Sequence, residues 1–164
     1  MSLTSTVSFG YRSNQAAVVE LANLTAYINE NRTVNFADGT ADSQCDKAWS
    51  DQATIANSGT TTYDLTALFD AFGVALAFAK IRAIIIENLS TTQTLTVGNA
   101  ASNAFSAFLG GDTETIKILP NSQFILTGVN TGMAVSGSHK SLKIANGSAG
   151  DAANVNIWIV GTSA

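Results

Sequence analysis

Charged residues are scarce in this chain: Lys and Arg total 8 and Asp and Glu total 12 of 164 residues, or 12%, about half the ordinary share of a soluble domain. Coiled coils need abundant Glu, Lys and Arg, and disordered chains need low apolar content or high net charge. Neither fits a chain that is 46% apolar with a net charge of −4. Nucleic-acid binders carry a basic surface, whereas the acidic excess here gives a pI near 4.7. Cysteine, histidine and proline occur once each, as Cys45, His139 and Pro120. A lone cysteine excludes an internal disulfide. One His and one Cys leave zinc and iron sites without ligands. The most apolar run, residues 73–86, is interrupted by Lys80 and Arg82 and is too short and too charged to span a bilayer. No secretory leader is visible at residues 1–6, and the reading is of a protein assembled in a cytoplasm.

Small uncharged polar residues fill the gap, with 19 Thr, 16 Ser and 14 Asn. With one proline, the turns must be made by Gly, Asn, Ser and Asp, which suit tight connections. Short β-branched runs lie between them. Residues 78–88 hold the strongest strand, with Ile84-Ile85-Ile86 predicted to be buried on both faces and Lys80 and Arg82 on a wet face near its start. Residues 115–119 alternate cleanly, and so does Val155-Asn156-Ile157-Trp158-Ile159-Val160. In residues 16–28, Val18, Leu21, Thr25 and Ile28 have helical spacing, but Asn23 and Thr25 disfavour a helix and the reading is strand. Asn57-Ser58-Gly59 reads as a hairpin turn. Leu65, Leu68, Phe69 and Phe72 are spaced i, i+3, i+4, i+7 and predict one short helix near 65–72, capped by Gly73. The expected fold is all-β: a two-sheet β-sandwich of the jelly-roll type with about 8–10 short strands. Residues 1–12 are expected to form an N-terminal arm or edge strand, and residues 13–164 a single sandwich domain.

Few residues suggest chemistry. His139 lies in the polar turn Gly137-Ser138-His139-Lys140 and reads as an exposed loop histidine rather than a triad member. Cys45 reads as structural. Asp38, Asp42 and Asp46 place three carboxylates in one loop and form a weak calcium candidate, with Asp51 as a fourth ligand. Asp in turns more often caps the backbone. Gly110-Gly111 and Gly147-Ser148-Ala149-Gly150 lack the partners of a phosphate loop and read as turns. Trp49, in a polar stretch, is the better candidate for an exposed ring, and with Tyr63 could offer a sugar platform. Trp158 reads as core or interface.

One resemblance adds to this reading. It is carried by residues 78–86, by Leu95-Thr96-Val97-Gly98-Asn99-Ala100-Ala101-Ser102-Asn103, by Phe108-Leu109-Gly110-Gly111 and by Pro120-Asn121. It continues in residues 142–150 and 157–164, and in residues 37–40 and 46–51. Over roughly residues 33–164 the chain resembles small virion structural proteins of tailed bacteriophages. Cys45 departs from the small residue expected there. The resemblance implies a non-enzymatic virion protein without cofactors, foremost a capsid cement or decoration protein on the head exterior. A tail, head–tail or fibre component, or a carbohydrate-binding module, is the alternative. It implies partners of two kinds, further copies of the chain (a trimer is favoured) and the major capsid protein or other virion proteins, with no nucleic acid and no membrane. Phe9, Tyr11, Trp49, Phe105, Phe108 and Trp158 are the candidate interface residues. The arm and the loop 98–111 are expected to touch neighbouring subunits.

Overall fold

The computed structural model describes residues 3–19, 22–127, 130–147 and 150–164, and over them the chain is all-β. Its strands run in order as β1 (Ser5–Val19), β2 (Ala22–Asp38), β3 (Gln44–Cys45), β4 (Lys47–Ile55), β5 (Thr60–Asp64), β6 (Leu68–Phe69) and β7 (Ala75–Leu76), then β8 (Lys80–Asn88), β9 (Leu95–Gly98), β10 (Thr115–Ile118), β11 (Ser122–Thr127), β12 (Met133–Ala134), β13 (Ser141–Asn146) and β14 (Ala153–Thr162). Eight of them build two antiparallel sheets, one in the order β11-β8-β14-β4 and one in the order β10-β9-β13-β5. The short β12 extends the first sheet along β8.

The period of two dictates how these sheets pack. Along β14, Ala153, Val155, Ile157 and Ile159 alternate as buried residues, while Asn154, Asn156 and Trp158 lie on the opposite face. Along β13, Leu142 and Ile144 are buried. The inner faces meet in one core that holds Ile84, Ile86 and Ile157 from one sheet and Leu95, Val97 and Ile144 from the other. Burying a side chain of this size favours folding by roughly 1.5–3 kcal/mol. The outer face of the first sheet carries polar rungs in which Glu87 is the one charged member: Gln52 Nε2 donates to Asn156 Oδ1 (3.0 Å), Thr54 Oγ1 to Asn154 Oδ1 (2.7 Å), and Asn156 Nδ2 to Glu87 Oε2 (3.0 Å). This is where part of the Thr and Asn excess resides.

One expectation about a connection changes. Asn57-Ser58-Gly59 does form a tight turn, with Gly59 N–H donating to Ala56 O at 2.8 Å and Ser58 at φ 55°. The strands it joins, β4 and β5, belong to different sheets, so the turn is an arch over the core and not a hairpin. Pro120-Asn121 arches in the same way between β10 and β11.

The helix near 65–72 is not present. Asp64 Oδ1 accepts from Thr66 N–H (2.9 Å) and Oγ1 (2.6 Å), and Asp70 Oδ1 accepts from Phe72 N–H (2.9 Å) and Val74 N–H (2.8 Å). These side-chain acceptors capture the amides that a helix would need. The segment becomes a turn followed by the small β6–β7 ladder, closed at Gly73 with φ 77°. Only Leu65 and Leu68 of the predicted apolar stripe are buried, while Phe69 and Phe72 are exposed.

The boundary of the arm also changes. β1 and β2 pair antiparallel without interruption from Ser5↔Phe36 to Val19↔Ala22. Residues 13–19 and 22–38 therefore belong to a pair of strands that starts at Ser5, and the sandwich begins after it. The 15 residues of β1 make an arm of about 50 Å at roughly 3.3 Å per residue. Leu21, one of the positions that left residues 16–28 open between helix and strand, lies outside the described residues; Ser148 and Ala149 of the predicted 147–150 turn and Met1 and Ser2 of the predicted arm do too.

Candidate assembly surface

The root of the arm is anchored by apolar packing. Phe36 and Cys45 are buried against Ala83, and Leu3, Val7, Val34 and Val160 close around them. Ala83 and Val160 lie on the outer face of the first sheet, so the hairpin root covers one end of that face. The Cys45 thiol is held above its usual pKa, first by burial and then by the nearby Asp46 and Asp38 carboxylates. This keeps it protonated and inert, as a structural cysteine should be. A backbone loop locks the root further, with Gly39 N–H donating to Cys45 O (3.2 Å) and Leu3 N–H to Asp38 Oδ1 (3.0 Å).

Beyond the root the arm is uncovered. Phe9 is 41% exposed, Tyr11 60%, Tyr27 65% and Ile28 51%. Two-stranded ribbons are marginal in water by themselves, and contiguous exposed apolar residues usually mark a contact site. The body carries a second exposed group beside the edge strand β4, made of Phe69, Phe72 and Val74. Phe72, Val74, Ala48 and Leu3 line a groove of about 450 Å³ there. Trp158, 42% exposed, lies beside Ala48, Ser50 and Ala71 in the adjoining depression.

The candidate interface residues divide. Phe9, Tyr11 and Trp158 are exposed and available to a partner. Phe105 is buried in the core and cannot be. Phe108 is half-buried, with its ring between Phe105 (5.8 Å) and Phe124 (5.6 Å). It borders an apolar cleft of about 480 Å³ with Ile116, Leu126 and Met133. Trp49 lies on β4 and not in a loop. It points inward and packs edge-on against Tyr63 at 5.1 Å, so it is not the exposed ring expected. Tyr63 Oη donates to Asp51 Oδ2 at 2.7 Å, and burial together with that bond raises its pKa. Neither ring offers an open sugar platform.

No family model, curated protein or solved structure matches the chain.

The calcium candidates do not converge. Among the described residues no group of three His, Cys, Asp or Glu is placed to hold a metal. Asp38 accepts from the Leu3 amide, Asp46 accepts from Ser163 N–H (2.8 Å) and Ser163 Oγ, Asp42 lies 3.9 Å from Arg82 Nη1, and Asp51 holds Tyr63. Each carboxylate serves the backbone or a neighbour. His139 is exposed in its turn, 3.0 Å from Ser138 Oγ.

Arg82, predicted on a wet face, is fully buried. A bulge at Val160/Gly161 pairs Val160 with Ala83 and Gly161 with Ile81, so Arg82 has no partner on β14. Its guanidinium turns under the loop after the arm, where Nη2 donates to Ala41 O at 3.0 Å. Ser43 N–H in turn reaches Asn130 O at 3.4 Å. Ile85, the middle of the Ile triplet, faces outward and is half-buried, unlike Ile84 and Ile86. Sequence reasoning missed Ile28, Phe69, Phe72 and Val74. Ile28 was visible only once its pairing to Ser13 fixed which residues it shares a face with.

Proposed function

We propose that this protein is a non-enzymatic structural component of a tailed-phage virion, foremost a capsid cement or decoration protein that works by association with copies of itself and with the capsid. The observation that carries the reading is the arm. Its apolar side chains stand free of the body that folds them, which suits a protein completed by a neighbour. The sandwich order supports it: taken in chain order, the eight sandwich strands run 1-8-3-6 in one sheet and 2-7-4-5 in the other. We read this as a jelly roll, an architecture shared by viral capsid and lectin domains. That likeness is an analogy of fold and does not by itself carry function. The Thr54/Asn154 and Gln52/Asn156 rungs support it as well, since interfaces lose less on burying Thr and Asn than on burying Lys and Glu.

The test is co-sedimentation of the purified chain with tailed-phage capsids, followed by cryo-EM of the decorated particle. The reading expects saturable, stoichiometric binding and density for the sandwich at symmetric sites on the head exterior. Density confined to the tail or neck would move the protein to the tail or fibre alternative. Capsids and tails that remain bare at saturating concentration would end the virion reading.

A further inference from the structure

A free strand edge offers unpaired N–H and C=O groups to any other strand, and folded proteins blunt such edges with short strands, charges, proline or bulges. The edges of the sandwich are blunted in this way. β5 and β10 are five and four residues long and carry Asp64 and Lys117. β11 has six residues and follows Pro120. β4 is longer, but Lys47 and Asp51 share the face that Trp49 turns to the core.

The edge of the arm along β1 has none of these devices. The strand has 15 residues, Arg12 is its sole charge, it holds no proline, and its register to β2 runs without a bulge. In the sheet order β1-β2-β3 its outer edge has no neighbour among the described residues. β2 differs, because Glu30 and Arg32 interrupt it and β3 covers the end of its far edge at Ala37 and Asp38. From Ser8 to Ala16 every residue of β1 except Ser13 is exposed. A two-stranded ribbon is marginal in water, and further strands are what make such a sheet stable.

We propose that the outer edge of β1 pairs antiparallel with the same edge of a second copy of this chain, about a two-fold axis at Gln15, so that the two arms form one four-stranded ribbon. The inference rests on the self-association half of the reading above and gives it an address. Three constraints fix the register. In an antiparallel pair every second residue turns its N–H and C=O away from the partner strand. With Gln15 opposite the second copy's Gln15, residues of like parity are opposed, and the outward groups of one β1 meet the outward groups of the other. The overlap then covers residues 11–19, about 30 Å of strand. Ser8, Phe9 and Gly10 separate it from Val7, where the root packs on the body, and the two bodies stand at opposite ends of the ribbon. A two-fold axis at Arg12 instead sets like charges directly opposite each other, which is unfavourable, and lays the second arm along the packed root. The same contacts occur twice, as a two-fold interface requires.

The experiment is mild oxidation of full-length Q15C and R12C, read by non-reducing electrophoresis, beside sedimentation velocity of the wild type up to about 500 μM to capture a weak interface. Both positions are exposed, so near-equal melting temperatures check that the variants fold. Cys45 is buried and does not compete. Directly opposed Cα atoms of an antiparallel pair lie about 4.5–5.5 Å apart, within reach of a disulfide. The two copies of position 12 lie about 20 Å apart in this register. Arms stacked face to face hold position 15 about 10 Å from its counterpart, beyond a disulfide. Q15C is expected to form a linked pair at least about tenfold faster than R12C, and the wild type to double in mass as concentration rises. Linking of Q15C no faster than that of R12C overturns the inference. If the wild type then still gains mass with concentration, self-association stands without this address, whereas a wild type that stays at 17.0 kDa removes both.

Discussion

The Asn88 amide shows how single polar side chains hold the ends of this sandwich. It is fully buried, and its Nδ2 donates to Gln93 O (2.7 Å), Ile118 O (3.0 Å) and Leu119 O (3.0 Å), while its Oδ1 accepts from Ser90 N–H (3.0 Å). One side chain thus ties β8 to the connections around β9 and β10. Asn88→Asp keeps the size but replaces the donor by an oxygen facing three carbonyls. Denaturant unfolding of that variant is expected to show a loss of about 3 kcal/mol or more, and a change below about 1 kcal/mol would contradict this role. Asp64 offers a pH-dependent counterpart. Lys140 Nζ at 2.6 Å, then Thr66, hold its pKa down from 3.8 to about 2. A depressed carboxylate stabilises the fold above its unfolded pKa and loses that contribution as pH falls through the folded value. The difference in urea midpoint between wild type and Asp64→Asn is expected to be constant above about pH 4 and to vanish towards pH 2. The effect should be modest because the pair is partly solvated. A difference that persists undiminished at pH 2 would assign it to something other than the charge.

Elements differ sharply in how much of them is supported. β14 is hydrogen-bonded on both sides, to β4 and to β8, and every second residue is in the core. The arm is bonded only to itself beyond its root. Amide exchange should therefore be slowest in β14 and β8 and fast in residues 9–16 and 25–32 of the dilute chain. Protection of those arm amides at high concentration is the outcome expected if the arm is covered by association, and equal exchange at both concentrations would contradict it. The bulge that buries Arg82 depends on Gly161, where a Cβ would overlap the Lys80 carbonyl and come within 2.8 Å of Phe78 Cδ1. Gly161→Ala should cost about 1–3 kcal/mol in thermal or chemical unfolding, whereas a neutral result would mean that β8 and β14 can separate there freely.

At the scale of the whole molecule, the sequence made the class plain and the particulars less so. Alternation in residues 115–119 and 155–160 carried the sandwich, because in a half-buried strand period and burial are the same fact. The helix at 65–72 was misread because Asp64 and Asp70 act on the backbone, a local effect that apolar spacing does not register. The wet face assigned to Arg82 failed because a one-residue bulge changes which way a side chain points. The arm was seen only as residues 1–12 because its apolar face is broken by Arg32 and Glu30. Those charges look like solvent-facing residues until the register sets them beside Phe9 and Tyr11. Trp49 was placed outside because its neighbours are polar, although they occupy the other face of β4. Throughout, the residues that dictate the core were legible one strand at a time, while the candidate surface emerges only when strands distant in sequence are paired.

The solution mass of the intact chain tests the assembly claim most directly. A protein built to be completed by copies of itself should sediment well above its 17.0 kDa chain mass, with the mass rising across the concentration range. A single species of 17.0 kDa throughout, up to about 500 μM, would contradict the account.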